Sequence, residues 1–406
     1  MTRLDPQPWM SAPATRKLME ALGEARFVGG AIRNALLGKR VSDVDIATPL
    51  TPDMVGTLLV AAGIAFVPTG IEHGTLTAIV DGKPFEVTTL RRDVTTDGRH
   101  AVVAFTDDWR LDAQRRDFTM NALYAAADGE IFDYVGGIED LKAGRVRFVG
   151  DAVRRIREDY LRILRLFRFH AWYGKGEIDA QALRAAAAEK DGIARLSGER
   201  IAKEMLRLLE AENPAPVLRV TESSGILAEV LPGEANIARL ENLTKIDAAN
   251  SFPPDVLLRL AALLPPGFAD IVTDRWKLSN AQRERLKDMT GACEEIAPHL
   301  SIREARKLLY RLGVRPFKDR VFLKWAEDAK ASNAVLWRAL LALADDWQRP
   351  RFALTGRDVM RAGVPEGPLV GQVLGEVEEW WIDSDFTDDE FSLAERLKTV
   401  VQAVAR

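Results

Sequence analysis

Residues 27–48, FVGGAIRNALLGKRVSDVDIAT, constrain the fold more than any other stretch, because a glycine pair ends an apolar run and two aspartates follow a short helical pattern. Phe27 and Val28 predict the end of a strand. Gly29 and Gly30 let the backbone turn tightly and approach a ligand with no Cβ in the way. Helical periodicity starts at Ala31, runs through Ile32, Ala35, Leu36 and Leu37, and stops at Gly38. The turn would therefore aim helix N-terminal amides at an anion such as a triphosphate. Asp43, Val44, Asp45, Ile46 and Ala47 alternate polar and apolar, so on a strand both carboxylates project to one face while Val44 and Ile46 enter the core. Paired carboxylates suit Mg²⁺, a hard cation that takes oxygen ligands and completes its shell with water and substrate phosphates. Taken alone, a glycine pair is usually a turn and a D-x-D a solvated strand end. In this order and this close together, they point to a phosphate cradle beside a metal site.

With 406 residues the chain exceeds one ordinary core and predicts two to four domains or subdomains. Its 47% hydrophobic and 29% charged content is that of a soluble globular protein. No apolar run is long enough for a bilayer, and Met1–Met10 lacks the basic and apolar regions of a signal peptide, so a cytoplasmic location with no membrane partner is expected. The only cysteine, Cys293, has no internal partner and reads as a small buried apolar residue; four scattered histidines make no zinc cluster. A net charge of −4 and a pI near 5.8 argue against indiscriminate coating of nucleic acid. Local charge can still bind RNA: Arg154, Arg155, Arg157, Arg162, Arg165 and Arg168 crowd one segment, and Arg303, Arg306, Lys307, Arg311, Arg315, Lys318 and Arg320 another.

Between about Arg26 and Phe148 short strands mix with helices. Ile64–Val67, Leu76–Val80 and Phe85–Thr89 predict strands, the last two joined by a two-residue turn at Asp81-Gly82, and Pro52–Ala62 predicts a helix capped by Thr51. After Asp151 helical stretches follow one another, from Ala152–Trp172 to Ala334–Asp346, among them Ala281–Glu295, with Pro-rich breaks between some. The fold class expected is α+β, a small mixed-sheet head followed by an all-α region. The boundaries expected are 1–150 for a catalytic head, 151–212 for a helical neck, 213–300 for a helical body and 301–406 for a helical tail.

Two further segments carry candidate chemistry. In Arg115-Arg116-Asp117-Phe118-Thr119-Met120-Asn121, adjacent arginines followed by Asp and Asn would put guanidinium groups near a polyanion and hold them by local hydrogen bonds. In Arg157–Phe169, Leu161, Leu164 and Phe167 form a packing stripe, while Asp159 and Arg162, three apart on a helix, share a face. An ion pair is the plain explanation. The sharper one is a base-edge reader: Asp159 accepts from an exocyclic amino group and Arg162 donates to the ring nitrogen beside it, the pattern of cytosine and adenine. Uracil and guanine present the reverse polarity, and unpaired buried polar groups cost ~1 to 3 kcal/mol each.

These motifs, in this order, resemble a class II tRNA nucleotidyltransferase, the CCA-adding family of the polymerase β superfamily, with its poly(A) polymerase relatives. The resemblance implies a polymerase β-like head. It implies that Gly29, Gly30 and Arg33 contact the nucleotide, that Asp43 and Asp45 are catalytic and hold Mg²⁺, and that Arg115, Arg116 and Asn121 belong to the triphosphate site. Asp159 and Arg162 would be the amino-acid template for CTP and ATP, supported by Arg165 and Arg168. Glu86 is the candidate third carboxylate. Asn34 departs from the family's usual acid after Arg33; its amide can still accept a hydrogen bond from Arg33. Arg91–Ala113, with Thr95, Thr96, Asp97, Gly98 and Arg99 as loop-formers, resembles the flexible loop that switches such enzymes from C to A. Leu196–Ile201 resembles a motif that braces the neck, with Ser197 as N-cap, and Leu354–Asp358 the tail of bacterial members. The activity implied is addition of C, C and A to the 3′ end of tRNA, with tRNA bound along the tail. Alternatives are a CC-adding, A-adding or poly(A)-making member, or an inactive RNA-binding protein on the same scaffold.

Overall fold

The computed structural model describes residues 3–97, 100–291, 296–328, 330–387 and 389–404, with the backbone alone for 93–97 and 100–103. Cys293, Gly98, Arg99 and the expected helix end at Glu295 lie outside the described residues. The chain divides into two compact units, residues 1–234 with 274–278, and residues 235–273 with 279–406.

The first unit is built on a seven-stranded mixed sheet. Its strands are β1 (Arg26–Val28), β2 (Asp45–Thr48), β3 (Ala65–Gly70), β4 (Thr75–Val80) and β5 (Lys83–Thr89), with β8 (Leu123–Ala125) and β9 (Ile131–Asp133), in the order β3-β4-β5-β2-β1-β8-β9. Neighbours run antiparallel except β2 and β5, which are parallel. The β4–β5 turn falls at Asp81 and Gly82, both with positive φ, as a two-residue hairpin of matching twist requires. Pairing of Phe27 with Ile46 puts two fully buried side chains on one face, where Trp9 meets Phe27 edge-on at 4.9 Å. The opposite face carries Val28, Ala47 and Tyr124 against Trp109 and Ala113. Thr51 caps the helix Pro52–Ala61 by accepting from the Met54 N–H.

Three expectations change. Strand β2 begins at Asp45, so Asp43 and Val44 stand in the irregular approach to it; Val44 is half-buried, and only Ile46 reaches the core. The expected loop at 91–113 instead has a two-stranded sheet, β6 (Arg91–Asp97) with β7 (His100–Phe105), and then the helix Trp109–Gln114. Its threonines and valines favour extended backbone and outweigh the turn-formers between them. The single helix expected over Ala152–Trp172 is two, Ala152–Glu158 and Leu161–Tyr173, broken where Asp159 takes an extended conformation (φ −158°, ψ 106°).

The remaining helices of this unit include Ala180–Ala188, Gly198–Leu209 and Ala215–Ser223. Ser197 does stand at the N-cap of Gly198–Leu209, but its side chain makes no cap bond.

The second unit is helical throughout its described regular elements, among them Ile237–Asn250, Ile302–Leu312, Val314–Glu327, Ala334–Asp345, Pro368–Asp383 and Glu390–Val404. Leu309, Phe317, Val321 and Trp337 form its main core. Asp358 accepts from the Thr355 N–H and hydroxyl, a helix-start role for the Leu354–Asp358 motif. Among the described residues no helix is long and apolar enough to cross a membrane.

Candidate active site

The site grows from the β1 turn. Gly29 takes φ +70°, and a Cβ there would lie 3.5 Å from the Asn121 carbonyl oxygen and 3.8 Å from Arg116 Nη1. Those are ordinary contact distances, so it is the left-handed conformation that calls for glycine. The helix Gly30–Leu36 follows, anchored by the fully buried Ile32. It presents Arg33 into a closed polar setting: Nη1 donates to Asn121 Oδ1 at 2.5 Å, Nη2 to the Tyr173 hydroxyl at 2.9 Å, and Nε and Nη2 to Asn34 Oδ1 at 3.2 and 3.0 Å. The amide at position 34 therefore does orient Arg33. Its Nδ2 also donates to the Arg40 carbonyl at 3.2 Å, a bond that a carboxylate could not make. The Arg33 guanidinium lies 4.1 Å from the centre of the Tyr173 ring, and burial lowers its pKa.

Three carboxylates gather at the start of β2. Pairing of Ile46 with Val87 sets Asp45 opposite Glu86 on the same sheet face, and Asp43 lies two residues before Asp45 in irregular chain. Asp43, Asp45 and Glu86 line one open cavity of about 710 Å³ with Ser42 and Lys83. Burial, then the charges of Glu86 and Asp43, push the Asp45 carboxyl up to about 6, and Arg116 opposes them. Among the described residues no group of three or more His, Cys, Asp or Glu side chains is arranged to hold a metal ion by itself. An all-oxygen set with mutually repelling charges fits a divalent cation whose other ligands are water and phosphate.

Arg115 and Arg116 are fixed by a residue that the sequence reading missed. Asp112, fully buried, bonds Arg115 (Nε 2.8 Å, Nη2 2.7 Å), Arg116 (Nη2 2.9 Å) and the Tyr124 hydroxyl (2.6 Å). Burial would raise its carboxyl, yet Arg116 and Arg115 hold it well below the carboxylate range, and Asp112 in turn raises Arg116. Its spacing, three and four residues before the arginines, was the available signal. The local hydrogen bonds expected from Asp117 therefore come from Asp112. Asp117 itself accepts from Asn121 Nδ2 at 3.0 Å and Arg165 Nε at 2.8 Å, and Arg165 and the Asn121 amide outweigh burial to depress it. Asn121 thus ties Arg33 to Asp117, and through it to Arg165. Arg168 is buried against Glu204, with Phe169 under its guanidinium at 4.2 Å.

Asp159 and Arg162 do not share a helix face, because the helix breaks between them. Asp159 Oδ1 accepts from the Leu161 N–H at 3.1 Å, a side-chain bond that competes with helix continuation, while Oδ2 accepts from Arg200 at 2.7 Å. Arg162 Nη1 donates to Glu158 Oε2 and to the Arg155 carbonyl, both at 2.6 Å. Tyr160, in the break, packs onto Gly192, where a Cβ would lie 2.0 Å from the ring. Glu158 had the same helical spacing as signal; Arg200, 41 residues away, and Tyr173, 140 residues from Arg33, had none.

A mixed-sheet head with a glycine turn, edge carboxylates and clustered arginines, followed by helices, defines a polymerase β-like nucleotidyltransferase. The sequence profile of the poly A polymerase head domain matches residues 25–147, and that of a probable RNA and SrmB-binding site of polymerase A matches residues 177–237. The mitochondrial CCA tRNA nucleotidyltransferase 1 of Mus musculus is 35% identical over 397 residues, 92% of this chain and 86% of that protein. The CCA-adding enzyme of Leuconostoc mesenteroides is 38% identical over 408 residues, 98% of each. The crystal structure of the Bacillus stearothermophilus CCA-adding enzyme in complex with CTP superposes with a TM-score of 0.76 at 27% identity, covering 97% of this chain and all of that one. The chain belongs to the class II CCA-adding tRNA nucleotidyltransferase family.

Proposed function

We propose that this protein adds C, C and A to the 3′ end of tRNA, using CTP and ATP and no nucleic-acid template. The observation that carries the reading is that Asp43, Asp45 and Glu86 line one cavity at the start of β2, with the Arg116 charge within reach of Asp45. That proximity supports a reading in which the carboxylates hold metal and Arg116 binds triphosphate at one site. Relatives named as CCA tRNA nucleotidyltransferases over nearly the whole chain support the same reading.

Asp43 and Asp45, with Glu86 beside them, would hold Mg²⁺. When bound, the cation supplies Lewis acidity, easing deprotonation of the RNA 3′-hydroxyl and neutralising charge on the leaving group. Attack of the 3′-oxygen on the α-phosphorus forms the new phosphodiester, breaks the α–β phosphoanhydride and releases pyrophosphate. Gly29 and Gly30 leave room for the phosphates, Arg33 and Arg116, helped by Arg115, screen their charge, and Asn121 and Asp112 hold Arg33 and Arg116 in place. Asp159 accepts from N4 of cytosine or N6 of adenine, and Arg162 donates to N3 or N1. Reading a base requires each to share or exchange its present partner, Arg200 or Glu158. Arg165 and Arg168 brace this helix from Asp117 and Glu204. The tail, residues 301–406, is proposed to bind tRNA, and the β6–β7 hairpin to act in the switch from C to A. The single cysteine suits a reducing compartment, and a cytoplasmic location is part of the proposal.

Replacing Asp45 with Ala is expected to lower incorporation of labelled CTP into tRNA at least a thousandfold, with an unchanged circular-dichroism spectrum. Retention of more than a tenth of wild-type activity would sink the carboxylate assignment.

A further inference from the structure

The first arginine cluster is only partly absorbed by the nucleotide site. Arg154 and Arg155 stand on Ala152–Glu158 and line a separate cavity of about 630 Å³ with Arg92, Arg115 and Arg147. Two carboxylates in that lining are committed to helix caps: Asp151 accepts from the Arg154 N–H at 2.7 Å, and Asp179 from the Ala182 N–H at 2.9 Å. The acids beneath are shared. Asp112 answers Arg115 and Arg116, Asp140 answers Arg145 and Arg147, and Glu158 answers Arg154, Arg155 and Arg162. With Arg92 and the two cap carboxylates counted, eight guanidiniums stand against five carboxylates among the described residues, so the wall of the cavity carries a positive surplus. Arg154, with its side chain 75% exposed and 3.5 Å from Glu158, and the exposed Arg92 offer that surplus at the rim.

The cavity is also wired to the nucleotide site by single residues. Arg115, in its wall, is adjacent to Arg116, and its carbonyl accepts from Arg162 Nη2 at 3.3 Å; the Arg155 carbonyl accepts from Arg162 Nη1. An RNA strand whose 3′ end lies at Asp45 and Arg116 has its upstream phosphates nearby, and guanidinium forks match phosphate oxygens.

We propose that this arginine-lined cavity seats a backbone phosphate of the RNA substrate just upstream of its 3′ end. The proposal rests on the reading that the substrate is tRNA. Its test measures binding, so that it is separable from catalysis. In Arg154→Ala, Kd for tRNA at 0.1 M salt is expected to rise about two- to fivefold. The slope of log K against log salt should become shallower by roughly 0.7 to 0.9 for each phosphate that is no longer neutralised. KM for CTP should stay at the wild-type value, and Arg154→Lys should restore most of the affinity that Arg154→Ala removes. An unchanged Kd and slope in a folded variant would overturn the proposal and leave a solvated arginine cluster. So would a raised KM for CTP with tRNA binding intact, which would mark a seat for free nucleotide or pyrophosphate. A wild-type protein that binds tRNA and incorporates nothing overturns the functional reading alone, and a lowered slope in its variant still supports the seat.

Discussion

Asp112 holds Arg115 and Arg116, the arginines proposed to bind the triphosphate, as a fully buried anion, so its ionisation links that pair to stability. Its folded pKa is depressed by Arg116 and Arg115, so the stabilisation is complete above the unfolded value, about 3.9, and fades as pH falls below it. Asp112→Asn leaves two guanidiniums without their carboxylate and is expected to cost about 3 to 5 kcal/mol at pH 7. Chemical denaturation at pH 7 and at pH 3 checks this. The gap between wild type and variant should shrink at the lower pH; a gap that stays constant would mean that the charge of Asp112 is not what stabilises the fold. Asn34 makes the complementary point, since one amide accepts from Arg33 and donates to the Arg40 carbonyl, and so joins the arginine to the chain leading into Asp43.

The break between Ala152–Glu158 and Leu161–Tyr173 is the element on which base selection is proposed to turn. It persists because Asp159 bonds the Leu161 N–H and Arg200, and because Gly192 leaves space for the Tyr160 ring. Gly192→Ala would force the ring to move, with an expected loss of about 1 to 3 kcal/mol by overpacking and relaxed choice against UTP and GTP. Asp159→Ala should relax the same choice with a smaller stability loss, since it removes the bonds to the Leu161 N–H and Arg200 but overpacks nothing. Misincorporation assays with all four nucleotides beside a thermal melt check both, and full selectivity in both variants would reject the reader. This is also where the sequence was least legible. Strands β4 and β5, their Asp81-Gly82 turn and the Thr51-capped helix were readable because local pattern and turn chemistry decide them. Asp43–Ala47 read as strand throughout, whereas pairing begins only at Asp45. A helical period likewise ran unbroken through Asp159, because the partner that stabilises the break, Arg200, lies far along the chain. The same holds inside the site: Asp112 and Glu158 sat at helical spacing from their arginines, while Tyr173 reaches Arg33 only through the tertiary fold.

At the scale of the whole molecule, charge is arranged so that an acidic protein can handle RNA. In the second unit the basic cluster is largely matched within the unit: Arg306 with Asp385, Lys307 with Asp383, Arg311 with Glu379 and Lys318 with Asp345. Arg315 likewise meets Asp255 and Asp319. In the first unit the surplus is local: around the cavity lined by Arg92, Arg115, Arg147, Arg154 and Arg155, guanidiniums outnumber the acids that answer them. A net charge of −4 therefore describes the sum and hides a basic region beside the carboxylates. The central claim, that this region and the Asp45 site together build CCA on tRNA, is tested most directly with tRNA transcripts lacking three, two or one of their terminal nucleotides. Each is incubated with the protein, Mg²⁺, CTP and ATP, and the products are sequenced. The account predicts that all three end in a single CCA and that extension stops there. Products that stop after CC, that gain only A, that grow into a run of A, or that gain nothing would contradict it.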